Sequence, residues 1–95
     1  MVYVSAKIVL FASLRKKYKT KELAVKCDGT LQDLIENASK ILGDRFFDDV
    51  YDRKQGKVRE DIILMINGRN FKDLKGKVEI NDGAVIAVFP PLGGG

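Results

Sequence analysis

The chain has 95 residues, 45% of them hydrophobic, and carries 17 Lys and Arg against 13 Asp and Glu, for a net charge of +4. That suits one globular domain with its own core and a modestly basic surface, which permits acidic protein or nucleic acid partners without demanding either. A single cysteine excludes an internal disulfide, and the lack of histidine removes the commonest general base and metal ligand. With no signal-peptide pattern and no apolar run long enough to span a bilayer, the expected setting is cytoplasmic, with no membrane partner.

Val2 to Phe11 is expected to form a strand, with Val4, Ala6, Ile8 and Leu10 alternating on one face. The basic stretch Arg15 to Lys21 follows as a turn region with at most one helical turn. Leu23, Val25 and Cys27 continue the alternation in a shorter strand, close enough to pair with the first as an antiparallel hairpin. Cys27 shares that period and is expected in the core, with no histidine to activate it. Asp28-Gly29 is a turn, and Thr30 with Asp33 approximates a capping box that opens a helix. Leu31, Leu34, Ile35, Ala38, Ile41 and Leu42 form its apolar stripe, and Gly43 is placed to end it in a left-handed conformation.

Phe46, Phe47, Val50 and Tyr51 suit a short helix or an irregular loop packed on the core. Asp52 to Glu60 is polar, with a turn at Gly56. Asp48, Asp49 and Asp52 match no calcium loop, so surface solvation is expected. Ile62 to Ile66 is wholly apolar, as a strand buried on both faces would be. Asn67-Gly68 is a strong hairpin signal, followed by a brief return strand through Arg69 to Phe71. Leu74, Val78 and Ile80 mark a connecting loop, and Asn81-Asp82-Gly83 turns the chain into a last apolar strand, Ala84 to Phe89. Segregated strands and helix imply an α+β domain, a mixed sheet of four to five strands packed on one main helix.

The last strand runs into Phe89-Pro90-Pro91-Leu92-Gly93-Gly94-Gly95. Pro90 and Pro91 have no N–H to give a sheet ladder and favour a stiff, extended backbone. Glycines alone would suit an ordinary frayed end, but a core strand and a proline pair leading into them point to a presented terminus. The reactive group there is an α-carboxylate, a poor electrophile that needs activation, for example as an acyl adenylate. Glycine lets an enclosing channel approach the backbone closely. Pro91 to Gly95 spans about 17 Å when extended, at ~3.3–3.6 Å per residue.

These features resemble the MoaD and ThiS group of ubiquitin-like β-grasp sulfur carriers, and most closely MoaD and the archaeal small ubiquitin-like modifiers. The resemblance rests on Leu10-Phe11-Ala12-Ser13-Leu14, Thr30-Leu31-Gln32-Asp33-Leu34, Ile66-Asn67-Gly68 and the segment from Asp82-Gly83 to Gly95. It implies a β-grasp domain over 1–91 and a flexible glycine tail over 92–95, with Gly94-Gly95 as the terminal di-glycine needing no processing protease. It also implies a carrier or modifier rather than an enzyme, with no bound cofactor. ATP would be used by a ubiquitin-activating-type adenylyltransferase that adenylates Gly95. Sulfur transfer would leave a thiocarboxylate for molybdopterin synthesis with a MoaE-like large synthase subunit, or for a related thiolation. The alternative is conjugation of Gly95 to lysines of other proteins. Leu92, Gly93, Gly94, Pro90 and Pro91 would bind the partner's tail channel. The stretch Asp44 to Glu60 is longer than the link in compact sulfur carriers, which argues against ThiS in particular, and the first loop is more basic than in many archaeal modifiers.

Leu92 has the best claim to a partner pocket, with Phe71 and Met65 as further candidates beside the tail, although Met65 is better placed in the core. The basic stretch Arg15 to Lys21 is a solvated loop that can steer a partner, and it lacks the interleaved aromatics of a single-strand nucleic acid surface. A third class, a basic binding module with an inert tail, is disfavoured by the tail itself.

Overall fold

The computed structural model describes residues 3–74 and 78–91. Val2 and the tail Leu92 to Gly95 lie outside the described residues. Strand β1 (Val4–Leu10) buries Ala6, Ile8 and Leu10, as its alternation requires. It pairs antiparallel with β2 (Glu22–Cys27), from Val4 opposite Cys27 to Val9 opposite Glu22. Between them the basic stretch forms a seven-residue helix, α1 (Ala12–Tyr18), longer than the single turn expected. Its only buried residue is Leu14, so no apolar stripe announces it in the sequence.

The main helix, α2 (Leu31–Leu42), packs on β2 and on α3 (Arg45–Val50). The Thr30 side chain caps it by accepting from the Asp33 N–H at 3.2 Å. The reciprocal bond of a capping box is displaced: the Asp33 carboxylate accepts from the Asp28 N–H at 2.8 Å, while the Thr30 N–H donates to Asp28 Oδ1 at 2.9 Å. Leu31, Leu34, Ile35 and Ala38 are buried, but Ile41 is 62% exposed and does not belong to the stripe. Ser39 is buried near that position, its hydroxyl satisfied by the Ile35 carbonyl at 2.9 Å. Gly43 does not adopt the left-handed helical conformation expected. Its φ is +130° with ψ 150°, and its N–H closes the helix on the Ser39 carbonyl at 2.8 Å.

Of the two readings of Phe46 to Tyr51, the short helix is the one formed. In α3, Phe46, Phe47 and Val50 are buried, and a small hairpin of β3 (Tyr51–Asp52) and β4 (Lys57–Val58) follows. β5 (Ile63–Ile66) then turns at Asn67-Gly68 into β6 (Arg69–Asn70). Both turn residues have positive φ, +50° and +85°, the geometry of a two-residue hairpin loop whose second position suits glycine. The return strand is shorter than expected, because Phe71–Asp73 forms a 3-10 turn capped by the Asn70 side chain.

β7 (Val85–Phe89) lies parallel to β1 and antiparallel to β5, giving the order β2-β1-β7-β5-β6. Its start is fixed by bonds across the sheet: Gly83 N–H to the Ser5 carbonyl at 2.7 Å and Ser5 N–H to the Asp82 carboxylate at 2.8 Å. The result is the β-grasp arrangement, a five-stranded mixed sheet curled over one main helix. Neither β5 nor β7 is buried on both faces. Ile63 and Val85 are 39% and 41% exposed, while Leu64, Ile66, Ile86 and Val88 enter the core.

Leu34 is fully buried at the centre of α2. Leu34→Ala should lower unfolding free energy by about 2–5 kcal/mol through lost burial and a residual cavity. Urea denaturation followed by circular dichroism checks this, with the midpoint falling and the slope unchanged.

Candidate functional site: the tail exit and the open sheet face

The inward alternation of the sheet serves α2 and the core. The outward residues form a second, exposed surface. Val9, Ala87 and Met65 stand in one cross-strand row, and Phe89 and Ile63 in the next. Phe11, just after β1, stacks flat on Phe89 with ring centroids 4.3 Å apart. Phe11 is still extended (φ −126°, ψ 156°) and continues the line of β1, and Ala12, with φ +52°, then turns the chain into α1. The Phe11 N–H donates to the Val88 carbonyl at 3.2 Å, the last rung of the parallel pair. This partly exposed apolar band, with Ile63 39% exposed, is the candidate interaction surface of the domain.

β7 leaves the sheet at the edge of this band. Pro90 is buried and Pro91 exposed, so the first proline anchors the exit and the second stands free. Beside them lies a cavity of ≈ 270 Å³, lined by Pro90, Pro91, Ser13, Leu14, Lys17, Asp49, Arg59 and Ile62. The far wall is held by Asp49 of α3. Its carboxylate accepts from Lys17 Nζ at 2.7 Å and from the Tyr18 hydroxyl. Tyr18 also packs edge-on against Phe46, with centroids 5.4 Å apart. Burial alone would raise the Asp49 carboxyl, but the bonds from Lys17 and Tyr18, with the nearby Lys17 and Arg59 charges, hold it below the usual carboxylate range. Burial first, and then the bond to Asp49, push the Tyr18 phenol well above its ordinary value.

The other carboxylates noted in the sequence are also engaged. Asp48 pairs with Arg53 at 2.8 Å, and Asp52 accepts from the backbone N–H groups of Lys54 and Gln55. Cys27 is wholly buried, and burial raises its thiol. Among the described residues no group of three or more His, Cys, Asp or Glu side chains stands where it could hold a metal ion, and no helix is long and apolar enough to cross a membrane.

Of the residues assigned to the tail, the structure places Pro90 and Pro91; Leu92, Gly93, Gly94 and Gly95 lie outside the described residues. Met65 is on the open face, not in the core as expected, and Phe71 packs against the core rim. Sequence reasoning missed the Phe11–Phe89 stack and the Lys17–Asp49–Tyr18 cluster. The first had a usable signal, since both phenylalanines end apolar runs. The second joins residues 31 and 32 positions apart and had none.

A β-grasp sheet with an apolar open face and a strand that leaves it through two prolines defines a ubiquitin-like domain. The chain belongs to the ThiS family, whose model matches residues 8–95. It is similar over 100% of both chains to small archaeal modifier protein 1 from Methanosarcina acetivorans, at 25% identity and a TM-score of 0.78. It is also similar, at 28% identity and a TM-score of 0.67, to a putative molybdopterin converting factor, subunit 1, from Pyrococcus furiosus, covering 94% of this chain and 99% of that one. In fold it resembles a chain of the Amycolatopsis orientalis BexX/CysO complex, with a TM-score of 0.75 at 18% identity, covering 95% and 99% of the two chains. No curated protein matches the sequence. The protein is therefore a ubiquitin-like sulfur carrier or protein modifier of the ThiS and MoaD type, and not a catalyst.

The lowered Asp49 carboxyl has a consequence for acid stability. A carboxylate whose folded pKa is depressed contributes stability that is present above its unfolded value of about 3.9 and is lost as pH falls through the folded value. Asp49→Asn should therefore melt lower than the wild type at neutral pH, and the difference should shrink below about pH 4. Thermal melts between neutral and acid pH check this; a constant difference would exclude Asp49 as the source.

Proposed function

We propose that the protein presents Gly95 for adenylation by a ubiquitin-activating-type enzyme and then carries sulfur as a C-terminal thiocarboxylate. The observation that carries this reading is the course of β7, which crosses the apolar open face and leaves it through Pro90 and Pro91. A partner that covers the Phe11, Ile63 and Phe89 surface receives whatever follows Pro91. Residues 1–91 act as the docking domain, and residues 92–95 act as the threaded tail. Leu92 seats in the partner's pocket, and Gly93 and Gly94 pass where a Cβ would not fit.

A carboxylate oxygen of Gly95 attacks the α-phosphorus of ATP and releases pyrophosphate. A persulfide supplied by a partner then attacks the acyl carbon and AMP leaves; a thiol cleaves the resulting acyl disulfide at its S–S bond, which frees the thiocarboxylate and leaves a disulfide on the partner. This chain supplies no acid or base for any step; its contribution is delivery of the carboxylate. The thiocarboxylate serves molybdopterin synthesis through a MoaE-like large synthase subunit, or a related thiolation. A second reading, conjugation of the activated Gly95 to lysines of other proteins, is favoured by the full-length similarity to small archaeal modifier protein 1. Intact mass spectrometry from native cells separates them: an oxygen-to-sulfur mass shift on Gly95 supports the carrier, and Gly-Gly remnants on lysines support the modifier.

Deleting Gly94 and Gly95 should leave circular dichroism and melting unchanged, yet abolish ATP–pyrophosphate exchange with the adenylating enzyme from the same source. Exchange by the deletion variant at the wild-type rate would sink both readings. Ile63→Glu tests the docking face. As an exposed strand position, it should change stability by no more than about 1 kcal/mol. A charge placed in a desolvated contact should weaken binding to the same enzyme at least about tenfold, measured by calorimetric titration.

A further inference from the structure

The seven residues from Arg15 to Lys21 hold five cations and no carboxylate; against a total of +4, this leaves the rest of the chain at −1. The excess positive charge of the protein thus sits in one short segment. Lys17 alone of the five has an ion-pair partner among the described residues, Asp49. Arg15, Lys16, Lys19 and Lys21 are exposed and have none there.

This segment is not a loose loop. Leu14 is buried, Tyr18 packs on Phe46, and Lys17 is tied to α3, so the charges are held in a fixed place. That place borders the tail exit: Ser13, Leu14 and Lys17 of the same helix line the cavity beside Pro90 and Pro91, and Arg15, Lys16, Lys19 and Lys21 stand outside it. Cations in the last turn of a helix also complement its dipole, but that effect is confined to the terminal turn. Lys21 lies beyond α1 and its cap residue Lys19, so the dipole does not account for it.

We propose that the exposed cations Arg15, Lys16, Lys19 and Lys21 form an electrostatic docking ridge for an acidic surface of the protein that receives the tail. The inference rests on the function proposed above and adds the chemistry of the partner. A protein surface fits better than single-stranded nucleic acid, because the nearby aromatic rings are already used. Phe11 is stacked on Phe89, and Tyr18 is turned against Phe46, so no free ring interleaves with the cations. The ridge meets the acidic surface while the apolar face closes, which orients the exit toward the partner's channel.

The test compares R15E/K16E with K40E/K54E, which makes the same change in net charge at exposed positions on α2 and the β3–β4 turn. ATP–pyrophosphate exchange is measured against carrier concentration with the adenylating enzyme from the same source. R15E/K16E should raise KM for the carrier about tenfold or more at low salt, flatten its salt dependence and leave kcat unchanged. K40E/K54E should behave as wild type. An unchanged KM in R15E/K16E, or an equal rise in both variants, overturns the ridge. If the wild-type protein supports no exchange at all, the carrier reading fails instead, and the ridge is judged by nuclear magnetic resonance titration with an oligoglutamate peptide. Shifts confined to Arg15–Lys21 and lost in R15E/K16E support the ridge. Shifts elsewhere, or tighter binding of an oligouridylate at physiological salt, overturn it.

Discussion

The parallel pairing of β1 with β7 is the constraint on which the rest of the structure depends. With the order β2-β1-β7-β5-β6, β7 is, among the described residues, the one strand that joins the amino-terminal hairpin to the β5–β6 hairpin. Its register, Lys7 opposite Val85 through Leu10 opposite Val88, joins segments from the two ends of the chain. Both strands run the same way, so the residue after β1 and the residues after β7 emerge together. That is why Phe11 can stack on Phe89, and why α1 borders Pro90 and Pro91. A strand with neighbours on both sides has its backbone groups satisfied along its length, so the direction in which the chain leaves the sheet is set by its most constrained element.

The period of a strand then divides labour between two faces. Ile8, Leu10, Ile86, Val88, Leu64 and Ile66 point inward and build the core with α2, where each large side chain contributes about 1.5–3 kcal/mol. Val9, Ala87, Met65, Ile63 and Phe89 point outward along the same strands. Mutations inside should act on folding, and mutations outside on association. The two sets alternate residue by residue, so a one-residue slip would exchange them. The bonds from Gly83 to Ser5 and from Ser5 to Asp82 guard against such a slip at the start of β7.

That division also explains what the sequence discloses. Alternation located β1 and β2, helical spacing located α2, and Asn67-Gly68 located its hairpin, because in each case one local rule decides the structure. Ile62 to Ile66 and Ala84 to Phe89 look buried on both faces, since an apolar docking surface and an apolar core have the same composition. Met65 reads as a core residue for this reason, and nothing local separates Ile63 from Leu64. α1 was underestimated because its charged residues show no stripe. Ile41 fits the spacing of α2 but faces solvent, while Ser39 and Leu42 turn toward the core on either side of it. Pro90 and Pro91 mark the exit by their chemistry, while the Lys17–Asp49–Tyr18 wall depends on tertiary proximity that no local pattern encodes.

The segment from Asp44 to Asp61, the part of the chain hardest to interpret from sequence, turns out to support the exit. Phe46 and Val50 are completely buried, so α3 is anchored in the core and not laid on its surface. From that anchor Asp49 reaches Lys17 and Tyr18, and Arg59 reaches back with its guanidinium to the Asp48 carbonyl at 3.3 Å and to the Asp61 carboxylate at 2.7 Å. Lys17, Asp49 and Arg59 all line the cavity beside Pro90 and Pro91. A seven-residue helix without an apolar stripe is too short to be stable by itself in water. Tertiary contacts must hold it, and they come from Leu14 in the core, from Phe46 against Tyr18 and from Asp49 on Lys17 and Tyr18. Together with buried Leu14, the segment therefore holds the basic connection as a rim around the point where the chain leaves its sheet.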